Sequence, residues 1–306
     1  MMKIAYVFSG QGTQHAGMGM SLVNYSQRIK NRFDEAGEIM GESLITIINN
    51  HPEILNQTLY AQPAIFTFQS AVVDQLKEEG ITSAGACGLS LGEYGALYDA
   101  GVFDFENGLR TLIHRAFFMH QSATNQPGKM VALLGDVQKV EALVSTIDGA
   151  YIANYNTPVQ TVVSGDEKAM DRSIEVASEY GIKRVIPLET SGAFHSPLMA
   201  QAAQDFELYV SKLNLAEPNK MLYLNVTGKQ YQSNLKQAMV RQIHQPVKFY
   251  PMIEAMIEDG FDCFIEIGPK STLKAMIKKI NKHVSVHNIE DKTSLEETLN
   301  TIKGVE

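Results

Sequence analysis

The 306-residue chain carries 26 Lys and Arg against 34 Asp and Glu, a formal charge of −8, with 44% apolar and 20% charged residues. This is the composition of a globular protein with a sizeable core, not of a disordered chain. The acidic balance argues against a general nucleic-acid binder, which needs clustered cations to neutralise phosphates.

Ile4–Phe8 is apolar and β-rich and breaks at Gly10-Gln11-Gly12, so it reads as a buried strand opening into a glycine-bearing loop. Ile65, Phe68, Val72 and Leu76 then recur at helical spacing through Pro63–Glu79. A short small-residue strand, Ala84–Cys87, leads into Gly88-Leu89-Ser90-Leu91-Gly92, followed by a helix over Glu93–Ala100 that stops at Gly101. After the helix Glu106–Ala123 and the break Asn125-Gln126-Pro127-Gly128, the rhythm changes. Lys129–Leu134 is a strand, Val137–Ile147 a helix, Ala150–Asn154 and Val159–Ser164 strands, Glu167–Tyr180 a helix and Ile182–Leu188 a strand. The order βαββαβ is the ferredoxin-like arrangement, which about 65 residues suffice to build. It predicts a small domain, 127–194, inserted into a larger α/β domain formed by 1–126 and 195–306. The remainder supplies a helix Ser196–Leu213, a strand near Met221–Val226, a helix around Pro251–Gly260 and a strand Cys263–Ile267 ending in Gly268-Pro269.

Cys87 and Cys263 are too few for a disulfide framework and lack zinc-site spacing, so a reducing compartment and no metal are expected. The apolar run ending at Phe8 is too brief for a signal-peptide core, and none approaches the roughly 18 apolar residues of a membrane span. The expectation is a cytoplasmic protein that does not enter the membrane.

Ser90 is the candidate nucleophile. In Gly-x-Ser-x-Gly between a strand and a helix, the serine sits on a strained turn and the glycines let the backbone pass closely. Its hydroxyl then lies at a helix N-terminus, where the macrodipole favours developing negative charge. Of eight histidines, His15, His51, His114, His120, His244, His283 and His287 lie in polar or helix-face contexts. His195 differs, following the last strand of the insert in Ser191-Gly192-Ala193-Phe194-His195-Ser196-Pro197, where it suits a general base that takes the Ser90 proton and returns it to a leaving group. On the helix Glu106–Ala123, Arg115 shares a face with Leu112 and Met119, whereas Arg110 aligns with Asn107 and His114. An arginine on an apolar face calls for an anion, either an internal acidic residue or a substrate carboxylate held in a bidentate pair.

The segments Phe8-Ser9-Gly10-Gln11-Gly12-Thr13-Gln14, Gln62-Pro63-Ala64, Gly88-Leu89-Ser90-Leu91-Gly92-Glu93-Tyr94, Gly192-Ala193-Phe194-His195-Ser196, Arg241-Gln242-Ile243-His244-Gln245-Pro246-Val247 and Glu266-Ile267-Gly268-Pro269 occur in that order. Together they resemble malonyl-CoA:acyl carrier protein transacylases over nearly the whole chain. The resemblance implies an α/β-hydrolase-like core with a ferredoxin-like insert and a ping-pong transfer for fatty acid biosynthesis. Ser90 attacks malonyl-CoA, His195 acts as base and then acid, and the malonyl-Ser90 ester passes to the phosphopantetheine thiol of an acyl carrier protein. It further implies that the backbone carbonyl of Gln242 orients His195, that the N–H groups of Gln11 and Leu91 form the oxyanion hole, and that Arg115 binds the malonyl carboxylate. Met119, Phe194 and Gln62 then line the pocket, with Phe194 beside the histidine favouring malonyl over α-methylated acyl groups. Leaving a buried Arg115 unpaired costs about 3–5 kcal/mol, roughly two to four powers of ten against acetyl-CoA. No cofactor is implied, and a monomer is expected.

One position departs from the family pattern: Leu89 stands where a histidine is usual before the nucleophile, and it is expected to pack into the core. A polyketide-synthase acyltransferase would share every motif. An acyl-thioester hydrolase is disfavoured by Arg115, and a non-catalytic binding module by the intact Ser90, His195 and Arg115. Lys270, Lys274, Lys278, Lys279 and Lys282 form one basic stretch. It reads as a solvated helix face or as the local attraction an acidic enzyme needs for CoA phosphates and an acidic carrier protein.

Overall fold

The computed structural model describes residues 2–304. Its strands are β1 (Ile4–Phe8), β2 (Gly85–Gly88), β3 (Lys129–Leu134), β4 (Ala150–Thr157), β5 (Gln160–Gly165), β6 (Arg184–Leu188), β7 (Met221–Leu224), β8 (Lys229–Gln230), β9 (Cys263–Ile267) and β10 (Ser285–Ile289). The α/β chain forms two units, one of Met1–Ile113, Asn214–Tyr223 and Met256–Glu306, the other of His114–Leu213 and Leu224–Ala255.

In the first unit five strands run parallel in the order β10-β9-β1-β2-β7. A parallel sheet is covered on both faces, so its strands read as continuous apolar runs. Tyr6, Val7, Phe8, Phe264 and Ile265 are all fully buried. β10, at the edge, carries the polar Ser285, His287 and Asn288; inside the sheet β2 departs from the pattern, with the sequence Gly-Ala-Cys-Gly, and packing explains it. A Cβ on Gly85 would lie 2.6 Å from the Phe261 ring, and one on Gly88 would lie 2.1 Å from the Gly92 carbonyl carbon. The helix over the sheet, Thr58–Glu78, begins before Pro63 and not at it: the proline loses the i to i−4 bond its N–H would have made and crowds the carbonyl one turn back, a cost offset by the buried residues from Ala61 to Leu76 that hold the helix in place. Glu266, at the buried end of β9, accepts backbone N–H bonds from Leu273 and Lys274 at 2.9 and 2.7 Å. It thereby caps the helix Thr272–Ile280, whose own N-cap Ser271 makes no side-chain cap bond. Burial pushes this carboxyl up to about 7, with the two N–H bonds pulling the other way.

In the second unit β3 to β6 form an antiparallel sheet in the order β4-β5-β3-β6. The helices Val137–Val144 and Glu167–Val176 cover one face. Val131, Leu133, Val163, Val140, Leu143 and Met170 make the core between them. β4 runs three residues past the expected end at Asn154. Two register shifts let it follow β5, and its outer edge pairs with Val247 through Tyr155 N–H and Val247 N–H bonds of 2.8 Å each. The long helix expected over Ser196–Leu213 is a 3-10 turn, Pro197–Met199, followed by Ala200–Val210. The helix Leu235–His244, which carries Gln242, packs against Ala200–Val210.

One close approach in the first unit yields a test. A Cβ on Gly92 would sit 2.1 Å from the Phe8 carbonyl oxygen, so Gly92→Ala must push β1 and its helix apart. Urea denaturation of Gly92→Ala should show a loss of about 1–3 kcal/mol. Unchanged stability would contradict the close packing.

Candidate active site

In the first unit, Leu89 N–H donates to the Phe8 carbonyl at 2.9 Å, extending the β1–β2 ladder one residue past the strand. The chain then turns at Ser90, with φ 54°, and enters the helix Gly92–Asp99 with Leu91 at its N-cap. Among the described residues, only Ser90, His195 and Asn234 combine a positive φ with a side chain other than glycine. A left-handed residue with a Cβ costs on the order of 1–2 kcal/mol. Such strain persists only where the surroundings over-determine it and clusters at active sites. Here Gly88 and Gly92 supply the close approach, and the N–H groups of Gly92, Glu93 and Tyr94 turn back onto the carbonyls of Leu89, Ser90 and Leu91. The serine is thus fixed at the N-terminal end of a helix. Leu89 is half-buried, not packed in the core as its apolar character suggests; its backbone is committed to β1, and its carbonyl lies against Gly10. Gln11 lies on the loop after β1, its side-chain amide donating to Thr58 Oγ1 at 3.0 Å. Gln62 is buried on the helix Thr58–Glu78, and Leu91 is buried at the N-cap of the helix Gly92–Asp99.

In the second unit, small residues bring the segment Gly192–Ser196 close to its neighbours. A Cβ on Gly192 would lie 2.5 Å from the Ala123 Cβ, and one on Gly128 would lie 2.6 Å from the Ala193 Cβ. Ser196 ties the turn, donating to the Ala193 carbonyl at 2.6 Å and accepting from Leu198 N–H. His195, with φ 57°, is 3% exposed. Its Nδ1 lies 2.8 Å from the Gln242 backbone carbonyl. A carbonyl only accepts, so Nδ1 carries the proton and Nε2 is the basic nitrogen. Burial first, and then the nearby Arg115 charge, pull this imidazole down to about 3. It is therefore neutral at physiological pH.

Arg115 is 1% exposed and its Nη2 donates to the Gln242 side-chain oxygen at 2.8 Å. Gln242, itself fully buried, thus holds the imidazole by its backbone and the guanidinium by its side chain. The sequence reading offered Arg115 an acidic residue or a substrate anion; the amide of Gln242 is an additional, neutral partner. Met119, one turn beyond Arg115, and Phe194, beside His195, are both buried.

Two residues of this arrangement escaped the sequence reading. Asn225 is fully buried, and its Oδ1 lies 3.5 Å from Gln242 Nε2. Its only sequence signal is a polar residue directly after the apolar strand β7. Gln69 is buried on the Thr58–Glu78 helix and donates to the Ser9 carbonyl at 2.7 Å; nothing in its helical spacing sets it apart. The lysine stretch is less available than its sequence implies. Lys270 donates to the Gly12 carbonyl, Lys274 to Asn288 and Lys278 to the Val284 carbonyl. Among the described residues there is no cluster of three or more His, Cys, Asp or Glu able to hold a metal ion, and no helix long and apolar enough to cross a membrane.

Known proteins resemble this chain over its full length. The family described as acyl transferase domain matches residues 5–299. The malonyl CoA-acyl carrier protein transacylase of Bacillus subtilis (strain 168) is 36% identical, over 99% of this chain and 98% of its own. The crystal structure of the transacylase of that name from Clostridium perfringens superposes with a TM-score of 0.94 at 37% identity, covering 99% of this chain and 98% of that one. A malonyl-transacylase solved in complex with its type II PKS acyl-carrier protein gives a TM-score of 0.94 at 30% identity, covering 98% and 99% of the two chains. A family model that spans residues 5–299 and relatives 36–37% identical over 99% of the chain show that it belongs to the acyl transferase family of malonyl-CoA:acyl carrier protein transacylases.

Proposed function

We propose that this enzyme moves a malonyl group from malonyl-CoA to the phosphopantetheine thiol of an acyl carrier protein through a malonyl-Ser90 ester, supplying extender units for fatty acid biosynthesis. The observation that carries the reading is the joint at Gln242, because it puts a neutral base and a buried cation on one residue. That pairing suits an acyl group ending in a carboxylate.

In this reading Ser90 Oγ bonds to the thioester carbon while its proton passes to His195 Nε2, and the oxyanion is met by the N–H groups of Gln11 and Leu91. Collapse breaks the C–S bond, and His195 returns the proton to the departing CoA thiolate. The carrier thiol then repeats the sequence in reverse, giving its proton to His195 as its sulfur displaces Ser90. Arg115 pairs with the malonyl carboxylate, and Met119, Phe194 and Gln62 line the acyl pocket. The β4-β5-β3-β6 order supports reading 127–194 as a ferredoxin-like insert in an α/β-hydrolase-like domain of 1–126 and 195–306. The enzyme acts as a cytoplasmic monomer without a cofactor of its own. A polyketide carrier is the second reading, favoured by the relative solved with such a carrier; transfer rates to fatty-acid and polyketide carriers separate the two.

Intact-protein mass spectrometry after incubation with malonyl-CoA should show one malonyl adduct that is absent in Ser90→Ala and disappears when holo carrier protein is added. An adduct that persists in Ser90→Ala would overturn the nucleophile, and one lost to water as fast as to carrier would mark a hydrolase. Arg115→Ala should lower malonyl transfer by about 100-fold or more while largely sparing acetyl transfer. Equal losses of both would remove the carboxylate role.

A further inference from the structure

The loop that carries Gln11 is clamped from two sides. Ser9, which follows β1, is fully buried; its N–H donates to the Ile267 carbonyl at 3.3 Å and its carbonyl accepts from Gln69 Nε2 at 2.7 Å. Gln69 reaches it from the middle of the Thr58–Glu78 helix and is itself fully buried. The next carbonyl, that of Gly10, accepts from the buried hydroxyl of Thr13 at 2.8 Å. The two peptide units between Ser9 and Gln11 are therefore each held by a side-chain donor.

The consequence follows from peptide geometry. The Gly10 carbonyl and the Gln11 N–H belong to one planar peptide unit, and no cis peptide occurs among the described residues. In a trans unit the N–H points opposite to the C=O, so a hydroxyl that fixes the direction of the Gly10 carbonyl also fixes the direction of the Gln11 N–H. Neighbouring backbone leaves little room for the loop to adjust. A Cβ on Gly10 would lie 2.6 Å from the Leu89 carbonyl oxygen, and one on Gly268 would lie 1.7 Å from Ser9 Oγ.

We infer that Thr13 and Gln69 are positioning residues for acyl transfer, Thr13 by aiming the Gln11 N–H and Gln69 by anchoring the peptide before it. The inference rests on the reading of Gln11 as an oxyanion donor for a Ser90 ester. Neither side chain touches the reacting atoms. Both act by removing the freedom of an N–H that must already point at the developing charge, since a donor that reorients during the reaction loses much of its stabilising effect.

The test is the single-turnover rate of Ser90 acylation by malonyl-CoA, followed by mass spectrometry across substrate concentrations. Thr13→Val keeps the shape and removes the hydroxyl, whereas Thr13→Ser keeps the donor. Thr13→Val should lower the maximal acylation rate by about 10- to 100-fold with the half-saturating concentration little changed, and Thr13→Ser should restore it. A wild-type rate in Thr13→Val, or an equal loss in Thr13→Ser, would overturn the proposal. If Thr13→Val does not fold, Gln69→Met and Gln69→Glu decide: a buried, protonated glutamic acid can still donate to the Ser9 carbonyl, so Glu should outperform Met. Equal rates for these two would overturn it. A wild-type enzyme that forms no acyl-enzyme would instead defeat the underlying reading of the site.

Discussion

Gln242 is the residue on which the chemistry of the second unit turns. It has no exposed surface, and its polar groups serve different partners: the backbone carbonyl accepts a hydrogen bond from His195 Nδ1–H, the side-chain oxygen accepts one from Arg115 Nη2, and the side-chain nitrogen faces Asn225. Three chain segments far apart in sequence meet at it. Each is held by its own packing: Arg115 by the helix Phe105–Asn125, His195 by the small residues around Gly192 and Gly128, and Gln242 by a helix beyond whose end Val247 is stitched to β4. A carbonyl can fix a histidine tautomer as a carboxylate does, without adding a negative charge beside it. The imidazole consequently keeps a low proton affinity, lowered by burial and by the Arg115 cation. The arrangement trades basicity for certainty of charge state, because His195 enters the reaction neutral.

Strain is the second constraint. Ser90 and His195 both occupy left-handed backbone conformations that their side chains disfavour, and each is trapped by glycines that let backbone or Cβ atoms come within contact distance. At Ser90 the trap is Gly88 against Gly92; at His195 it is Gly192 against Ala123. The poor strand former Gly-Ala-Cys-Gly is accepted in a buried parallel sheet because larger side chains would not fit. Local propensity yields to the geometry the turn needs.

Most of the candidate site was legible in the chain, for reasons that differ by residue. Gly-x-Ser-x-Gly between an apolar strand and a helix carries its own geometric meaning, so Ser90 could be read directly. Arg115 stood out as a cation on an apolar helix face. The roles of Gln242, Gln11 and Leu91 came only through resemblance, since a backbone carbonyl or N–H leaves no trace in residue type. Asn225 and Gln69 were not found, since each is a neutral polar side chain whose importance lies in a hydrogen bond to a residue distant in sequence; Thr13 lies inside a quoted segment, but its local bond to the Gly10 carbonyl has no signature in residue type. The central elements were placed within a few residues, and the misses have local causes. β4 overran because bulges let it follow β5, the helix after His195 broke into a 3-10 turn at Pro197, and Pro63 failed to mark a helix start. Between Met20 and Leu55 three helices of two turns or fewer give too few repeats for a period to emerge, whereas Gln27–Met40, with Ile29, Phe33 and Ala36 at helical spacing, was legible and went unread.

The chemistry depends on the state of one imidazole. Nitrogen-15 NMR of the enzyme labelled at histidine, with the His195 signal assigned by its loss in His195→Ala, reports both charge and tautomer. The geometry predicts a neutral ring protonated on Nδ1 and bare on Nε2, unchanged as the solution is acidified to about pH 5, well below the ordinary histidine value. A His195 that is already an imidazolium at about pH 6, or a neutral ring carrying its proton on Nε2, would contradict it.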